Sequence, residues 1–322
     1  MELSTSLPTA PSVQATAAPG SLGDGSAVEA VRELAPAVVT VVQKSGSRDV
    51  GSGSGFIIDP RGYIATNSHV VSNQRGGAGT AFEVIFVDDR RVSARLVGRD
   101  PDTDVAVLQI DPAGRSLKVA PLGNSDEVPV GSTVVAIGSA LGDFRNSVTA
   151  GVLSGKGRRF PAVNSQIFLE DLLQTDAPIS PGNSGGPLIR AATRQVVGMN
   201  TLVVREPGSE GLGFAVSSNT VRQITEELIK SGRVERGFIG IGYELNPRAA
   251  GVTISQVQSG SAGATAGLRP GDVITKVNGQ VIEAERPLKT IMLRFRPGDR
   301  VRLSVVRDGR QQEIEVTLGS GS

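Results

Sequence analysis

Two successive sets of short β-forming runs constrain this chain more than any other feature of its sequence. The first set covers residues 38–42, 56–58, 63–71, 82–87, 92–97 and 105–110, and the second residues 134–137, 148–153, 188–189, 196–199 and 212–216. Each run is apolar or alternating, and Gly, Asp or Pro punctuates the gaps. No helical pattern intervenes within a set, so the strands are expected to pair antiparallel and to close on themselves, giving two β-barrels rather than an α/β sheet. The 41 glycines and 18 prolines suit such a turn-rich, mainly β chain.

A cleft between two barrels is a natural place for a site. The chain's only histidine, His69, lies where the run 63–71 leads into a turn, so any imidazole chemistry must use it. A lone histidine is usually structural until it finds a partner. Asp104 is the candidate partner, because it stands at the mouth of the run 105–110, where a strand end would hold its carboxylate. Asp100 and Asp102 are rivals by position and read as solvated turn residues. The third element is Gln-Thr-Asp-Ala-Pro-Ile-Ser-Pro-Gly-Asn-Ser-Gly-Gly-Pro-Leu (174–188). It sets a hydroxyl nucleophile, Ser184, among Gly182, Gly185 and Gly186, where a missing Cβ lets a substrate backbone approach and frees amide donors for an oxyanion. The expected donors are the amides of Gly182 and Ser184. A glycine-rich turn alone is commonplace, but the order His69, Asp104, Ser184, with 35 and 80 positions between successive members, is that of chymotrypsin-like serine proteases. In that arrangement the serine attacks, the histidine carries the proton and the aspartate fixes the histidine tautomer.

The chain resembles the HtrA (Deg) family of trypsin-like serine proteases with a C-terminal PDZ domain. The resemblance is carried by Gly-Ser-Gly-Phe-Ile-Ile (53–58), Thr-Asn-Ser-His-Val-Val (66–71), Asp-Thr-Asp-Val-Ala-Val-Leu (102–108), the Ser184 loop and Gly-Leu-Gly-Phe-Ala-Val-Ser (211–217). Ser180 stands where the family usually has asparagine. The resemblance implies a chymotrypsin-like double β-barrel at residues 27–235 and a small α+β PDZ domain at 236–322. It implies that the segment 201–204 lines the S1 pocket, with Val203 and Val204 favouring a small or medium apolar residue; ordinary strand core is the competing reading. Arg158, in the Gly-Lys-Gly-Arg-Arg-Phe loop (155–160), matches the arginine that couples activator binding to the catalytic loop. Phe238, Ile239, Gly240 and Ile241 match the loop that captures a peptide carboxylate on backbone amides while the next strand pairs with the peptide.

Four further stretches complete the expectation. Residues 217–232 read as a helix with polar capping side chains at its start, Val221, Ile224 and Leu228 on one face, and Gly232 at its end. Residues 285–295 have helical periodicity, and 302–318 alternate about an Asp308-Gly309 turn, a hairpin signal. Residues 1–26, rich in Ala, Pro, Ser and Thr, read as a disordered linker without an export signal; the resembled family generally works outside the cytoplasm, so the resemblance implies an anchor or signal upstream of Met1 and work in the periplasm or cell envelope.

With 33 basic and 32 acidic side chains, nothing draws the chain to nucleic acid. It has no cysteine, no nucleotide loop and no ligand cluster for a catalytic metal, so no cofactor is expected. Together with the resemblance, this gives the expectation of an ATP-independent serine endopeptidase of protein quality control. The resemblance implies that it cleaves unfolded or damaged proteins, binds peptide C-termini at the PDZ domain and assembles as a homotrimer. The alternative is a peptide-binding scaffold or holdase chaperone with minor proteolysis.

Overall fold

The computed structural model of the chain describes residues 25–72, 79, 81–114, 116–139, 147–161, 168–180, 182–203, 212–245, 251–283 and 288–320. Six strands close the first barrel: β1 (Val38–Ser45), β2 (Arg48–Asp59), β3 (Tyr63–Thr66), β4 (Ala81–Ile85), β5 (Arg91–Asp100) and β6 (Val105–Ile110), in the order β1-β2-β3-β6-β5-β4. Six more close the second: β7 (Thr133–Gly138), β8 (Ser147–Pro161), β9 (Phe168–Thr175), β10 (Pro187–Arg190), β11 (Gln195–Val203) and β12 (Gly213–Ser217), in the order β10-β11-β12-β9-β8-β7.

Side-chain parity explains why several of these strands read as unbroken apolar runs. Successive residues of a strand face opposite sides, and here both sides are covered. In β6, Ala106, Leu108 and Ile110 fill the first barrel, whereas Val105 and Val107 enter an apolar layer shared by the two barrels. β7 does the same from the other side, with Val134 and Ala136 in the second barrel and Val135 and Ile137 in the shared layer. Phe56 is fully buried in that layer, so truncating it to alanine would cost about 3–5 kcal/mol. The barrels are thereby held face to face across that layer.

Helix α1 (Gly25–Leu34) packs Ala30 and Leu34 into the shared layer, and Arg194 ties it down through Glu29 at 2.7 Å and Glu33 at 3.4 Å. The run pattern gave no sign of this helix, which starts inside the stretch read as linker; residues 1–24 lie outside the described residues. Strand β9 also escapes the run pattern, because Glu170 and Asp171 interrupt its apolar residues. Helix α2 (Ser218–Ser231) follows the expectation. The Ser217 hydroxyl accepts the Thr220 N–H at 3.2 Å, Gly232 ends the helix at φ 75°, and Val221, Ile224 and Leu228 are buried against the shared layer.

The C-terminal unit has its own core, built around Ile254, Ile274, Leu303 and Val305. Its elements are β13 (Gly237–Phe238), β14 (Ile241–Leu245), β15 (Val252–Val257), α3 (Ala262–Thr265), β16 (Val273–Val277), β17 (Gln280–Val281), α4 (Leu288–Met292), β18 (Arg300–Arg307), β19 (Arg310–Thr317) and β20 (Gly319–Ser320). The β18–β19 hairpin closes through Arg307 opposite Arg310, with Asp308 at φ 49° and Gly309 at φ 74°, the paired positive angles a two-residue turn of this hand requires.

Candidate active site

Asp104 sits at φ 57°, immediately before β6, in a left-handed conformation that turns its carboxylate back toward the His69 loop. Three main-chain and side-chain links fix it there. Its carbonyl accepts the Ser68 N–H at 3.1 Å and the Asn67 side-chain amide at 3.0 Å, and its Oδ1 accepts the His69 N–H at 3.0 Å. His69 begins a short 3-10 turn after β3, as the strand-into-turn reading required. The His69 Nδ1 lies 2.9 Å from Asp104 Oδ2 and 3.1 Å from Oδ1. A carboxylate only accepts, so Nδ1 is the protonated nitrogen and Nε2 carries the lone pair.

Burial of the ring lowers the His69 pKa, but the charge and hydrogen bond of Asp104 raise it more, and it stands above its ordinary value of 6.5. The side chain still presents about half its surface to solvent, 52%, so the ring is reachable from the cleft. A fourth contact was not foreseen: the buried Thr201 hydroxyl, on β11, donates to Asp104 Oδ2. The segment 201–204 was read as a pocket wall, yet its first residue turns its hydroxyl to the carboxylate and so bonds the second barrel to the first.

The Ser184 loop is anchored by the first barrel as well. Ser54, fully buried on β2, donates its N–H to the Ser184 carbonyl at 2.8 Å and its hydroxyl to the Gly182 carbonyl at 2.5 Å, and accepts the Ser139 N–H at 2.7 Å. Gly185, at φ +84°, lies so close that a Cβ there would fall 2.2 Å from the Ser54 carbonyl oxygen and 3.2 Å from the Asn67 nitrogen. The loop is thus pressed against the strand and turn that lead to His69. Among the described residues no acceptor takes the N–H of Gly182 or Ser184, and no hydrogen bond joins the Ser184 hydroxyl to His69. Such contacts often tighten only when substrate is bound. At Ser180 both links to Asn183 use the Ser180 main chain, its N–H at 3.1 Å from Asn183 Oδ1 and its carbonyl at 3.1 Å from the Asn183 N–H, so an asparagine there would change neither.

The remaining expected residues fall at distinct places. Val203 ends β11 opposite Gly213, and Val204 lies outside the described residues. Arg158 is on β8, where its Nε donates to Gln174 Oε1 of β9 at 3.0 Å. Phe238, Ile239, Gly240 and Ile241 line one side of a cavity of about 260 Å³ whose far wall is α4, with Leu288 and Met292. Gly240 is at φ +81°, and a Cβ would strike Ser261 at 2.2 Å, so the turn demands glycine. The N–H groups of Ile239 and Gly240 donate to no described group outside the strand ladders. A larger hollow of about 570 Å³ over β16, β18 and β19 is lined by charges of both signs and is solvated sheet surface.

Asp100, read as a solvated turn residue, is instead 3% exposed. It accepts the Thr103 hydroxyl at 2.5 Å and pairs with Arg236 at 2.8 and 2.5 Å, bracing the turn that delivers Asp104. Arg236 is 136 positions away, which is why no local pattern revealed the pair.

Models of two domain families match the chain: a trypsin-like peptidase domain over residues 53–199 and a PDZ domain over residues 237–318. The fold and these matches define a peptidase-fold chain with an appended PDZ domain. The chain is 36% identical over 286 residues to the probable periplasmic serine endoprotease DegP-like of Brucella suis, covering 85% of this chain and 53% of the relative. It is 38% identical over 288 residues to the protein of that name in Chlamydia trachomatis, covering 86% and 55%. The chain spans about half the length of the curated relatives it matches. Among solved structures, it is 35% identical to the serine endoprotease from Yersinia pestis, with TM-score 0.70 and coverage of 92% of this chain and 98% of that one. The HtrA-type protease AlgW with decapeptide is 31% identical, with TM-score 0.71 and coverage of 92% and 99%. The chain belongs to the HtrA/DegP-like family of trypsin-like serine proteases with a C-terminal PDZ domain.

Proposed function

We propose that the chain is an ATP-independent serine endopeptidase that cleaves unfolded or damaged proteins through an acyl-enzyme, with the PDZ groove capturing peptide C-termini. The observation that carries this reading is the His69–Asp104 pair, whose geometry engages Nδ1 and leaves Nε2 as the base. Ser184 Oγ attacks the scissile carbonyl as His69 Nε2 takes its proton, and the Gly182 and Ser184 amides receive the oxyanion. The leaving amine departs with the proton from His69, and water then repeats the sequence to release the acid.

Specificity at S1 follows from Val203 and Val204, which favour a small or medium apolar side chain. An arginine or lysine there would bury an unpaired charge. Arg158 serves as the sensor of activator binding. Its partner Gln174 stands at the start of the chain segment that leads to Ser184, so a shift there is passed along the backbone to the nucleophile. The relatives named periplasmic support work outside the cytoplasm; assembly as a homotrimer belongs to the same proposal.

Cleavage of unfolded casein by the wild-type chain and by Ser184→Ala, with and without a peptide ending in a free apolar C-terminus, tests the reading. Cleavage that requires Ser184 and rises with the peptide supports it. Casein intact under every condition would favour a peptide-binding scaffold or holdase.

A further inference from the structure

The peptide groove is not built by the PDZ domain alone. Its cavity of about 260 Å³ is also lined by Asp102, from the peptidase-domain turn between β5 and β6. Asp102 Oδ1 lies 3.3 Å from Lys289 Nζ, on the α4 wall, and its Oδ2 lies 3.8 Å from Arg236 Nη1. The two cations are not equivalent. Arg236 is mostly buried and committed to Asp100 at 2.8 and 2.5 Å, whereas Lys289 is half exposed, at 52%, and its ammonium is neutralised by Asp102.

We propose that Asp102 is a specificity-determining residue of the groove, holding Lys289 in place of a ligand's anionic end and so competing with a peptide's terminal carboxylate. This rests on the reading of the groove as a site for peptide C-termini. A carboxylate bound on the Ile239 and Gly240 amides shares the cavity with Asp102. A sphere of that volume is about 8 Å across, no wider than the Debye length of about 8 Å at physiological salt, so the two negative charges repel with little screening. Lys289 answers that repulsion only if it swings from Asp102 to the ligand. The groove therefore discriminates against anionic ends that cannot displace Asp102, and it does so with a residue two positions from Asp104.

The test is fluorescence anisotropy with a labelled peptide ending in valine, in its free-carboxylate and C-terminal carboxamide forms, on the full chain carrying Ser184→Ala. Adding Asp102→Asn keeps the side chain's size and removes its charge. The expected result is about 2- to 5-fold tighter binding of the free-carboxylate peptide at physiological salt, in the range of one solvent-exposed charge pair. The gain disappears for the carboxamide and near 1 M salt, where the Debye length is about 3 Å. Equal affinity with and without the Asp102→Asn substitution, with binding evident in both chains, overturns the inference and leaves peptide capture standing. A gain of the same size for the carboxamide also overturns it. Failure of both chains to bind either peptide overturns the capture reading, and this inference with it.

Discussion

Replacing Gly185 by alanine tests how tightly the nucleophile loop is held. The new Cβ would fall 2.2 Å from the Ser54 carbonyl oxygen and 2.7 Å from Thr66 Oγ1, where real contacts do not fall below 3.0 Å. Ser54 cannot retreat, because it is fully buried and bonded to Ser184, Gly182 and Ser139 at once. The loop must therefore lift by about 0.8 Å, carrying Ser184 with it. A displacement near 1 Å at the reacting atoms costs on the order of 100-fold in rate. The left-handed backbone, at φ +84°, adds about 1–2 kcal/mol of strain for a residue with a Cβ, which lowers Tm by about 2–8 °C. kcat/KM on an unfolded substrate is expected to fall about 100-fold, with peptide binding at the PDZ groove unchanged. A variant that melts as the wild type does and stays within about threefold in kcat/KM would refute the claim that this contact sets the nucleophile's position.

Four further outcomes are expected. His69 must be neutral to act as a base, and its pKa is raised by Asp104 over the lowering effect of burial. kcat/KM should therefore fall as pH drops, with a midpoint above 6.5; a midpoint at or below 6.5 contradicts the geometry. The stability term has the opposite sign. The His69–Asp104 pair contributes fully below pH 6.5 and loses its contribution as pH rises through the raised pKa, so the Tm advantage over His69→Gln should be larger near pH 5.5 than near pH 8.5. Thr201→Val removes a hydroxyl donor from the Asp104 carboxylate. It should cost about 1.5–3 kcal/mol of stability and move the pH midpoint upward, since Oδ2 then serves His69 alone; an unmoved midpoint argues against the bond. Arg236→Met leaves Asp100 buried without its cation, which should cost about 3–5 kcal/mol in denaturant unfolding, and a loss under about 1 kcal/mol would show the pair to be incidental.

The parts of this structure that were legible beforehand are those with local signals. The Asp308-Gly309 hairpin, the caps and apolar face of α2, and the short runs of both barrels all announce themselves within a few residues. The His69–Asp104 contact was legible for a different reason: one histidine leaves no choice of imidazole, and a strand mouth holds the carboxylate beside it. What escaped depends on partners distant in sequence. Asp100 looked solvated because its cover, Arg236, arrives after both barrels are complete. Glu170 and Asp171 hid β9 because their partners, Arg294 and the hydroxyls of Ser217 and Thr220, come from other elements. The same is true of Thr201, whose hydroxyl crosses from one barrel to the other. Helix α1 was lost because its sequence adjoins a polar, proline-containing stretch, and what fixes it is burial of Ala30 and Leu34 in a layer that no local window contains.

The central claim is that Ser184 is a nucleophile activated by His69. Intact-mass measurement after treatment with an organophosphofluoridate tests it most directly, since the reagent forms an Oγ–phosphorus bond with loss of fluoride only where a serine is activated. The account predicts a single adduct located on Ser184, no adduct on Ser184→Ala, and greatly slowed labelling of His69→Ala. An adduct of equal yield on Ser184→Ala, or labelling indifferent to His69, would contradict it.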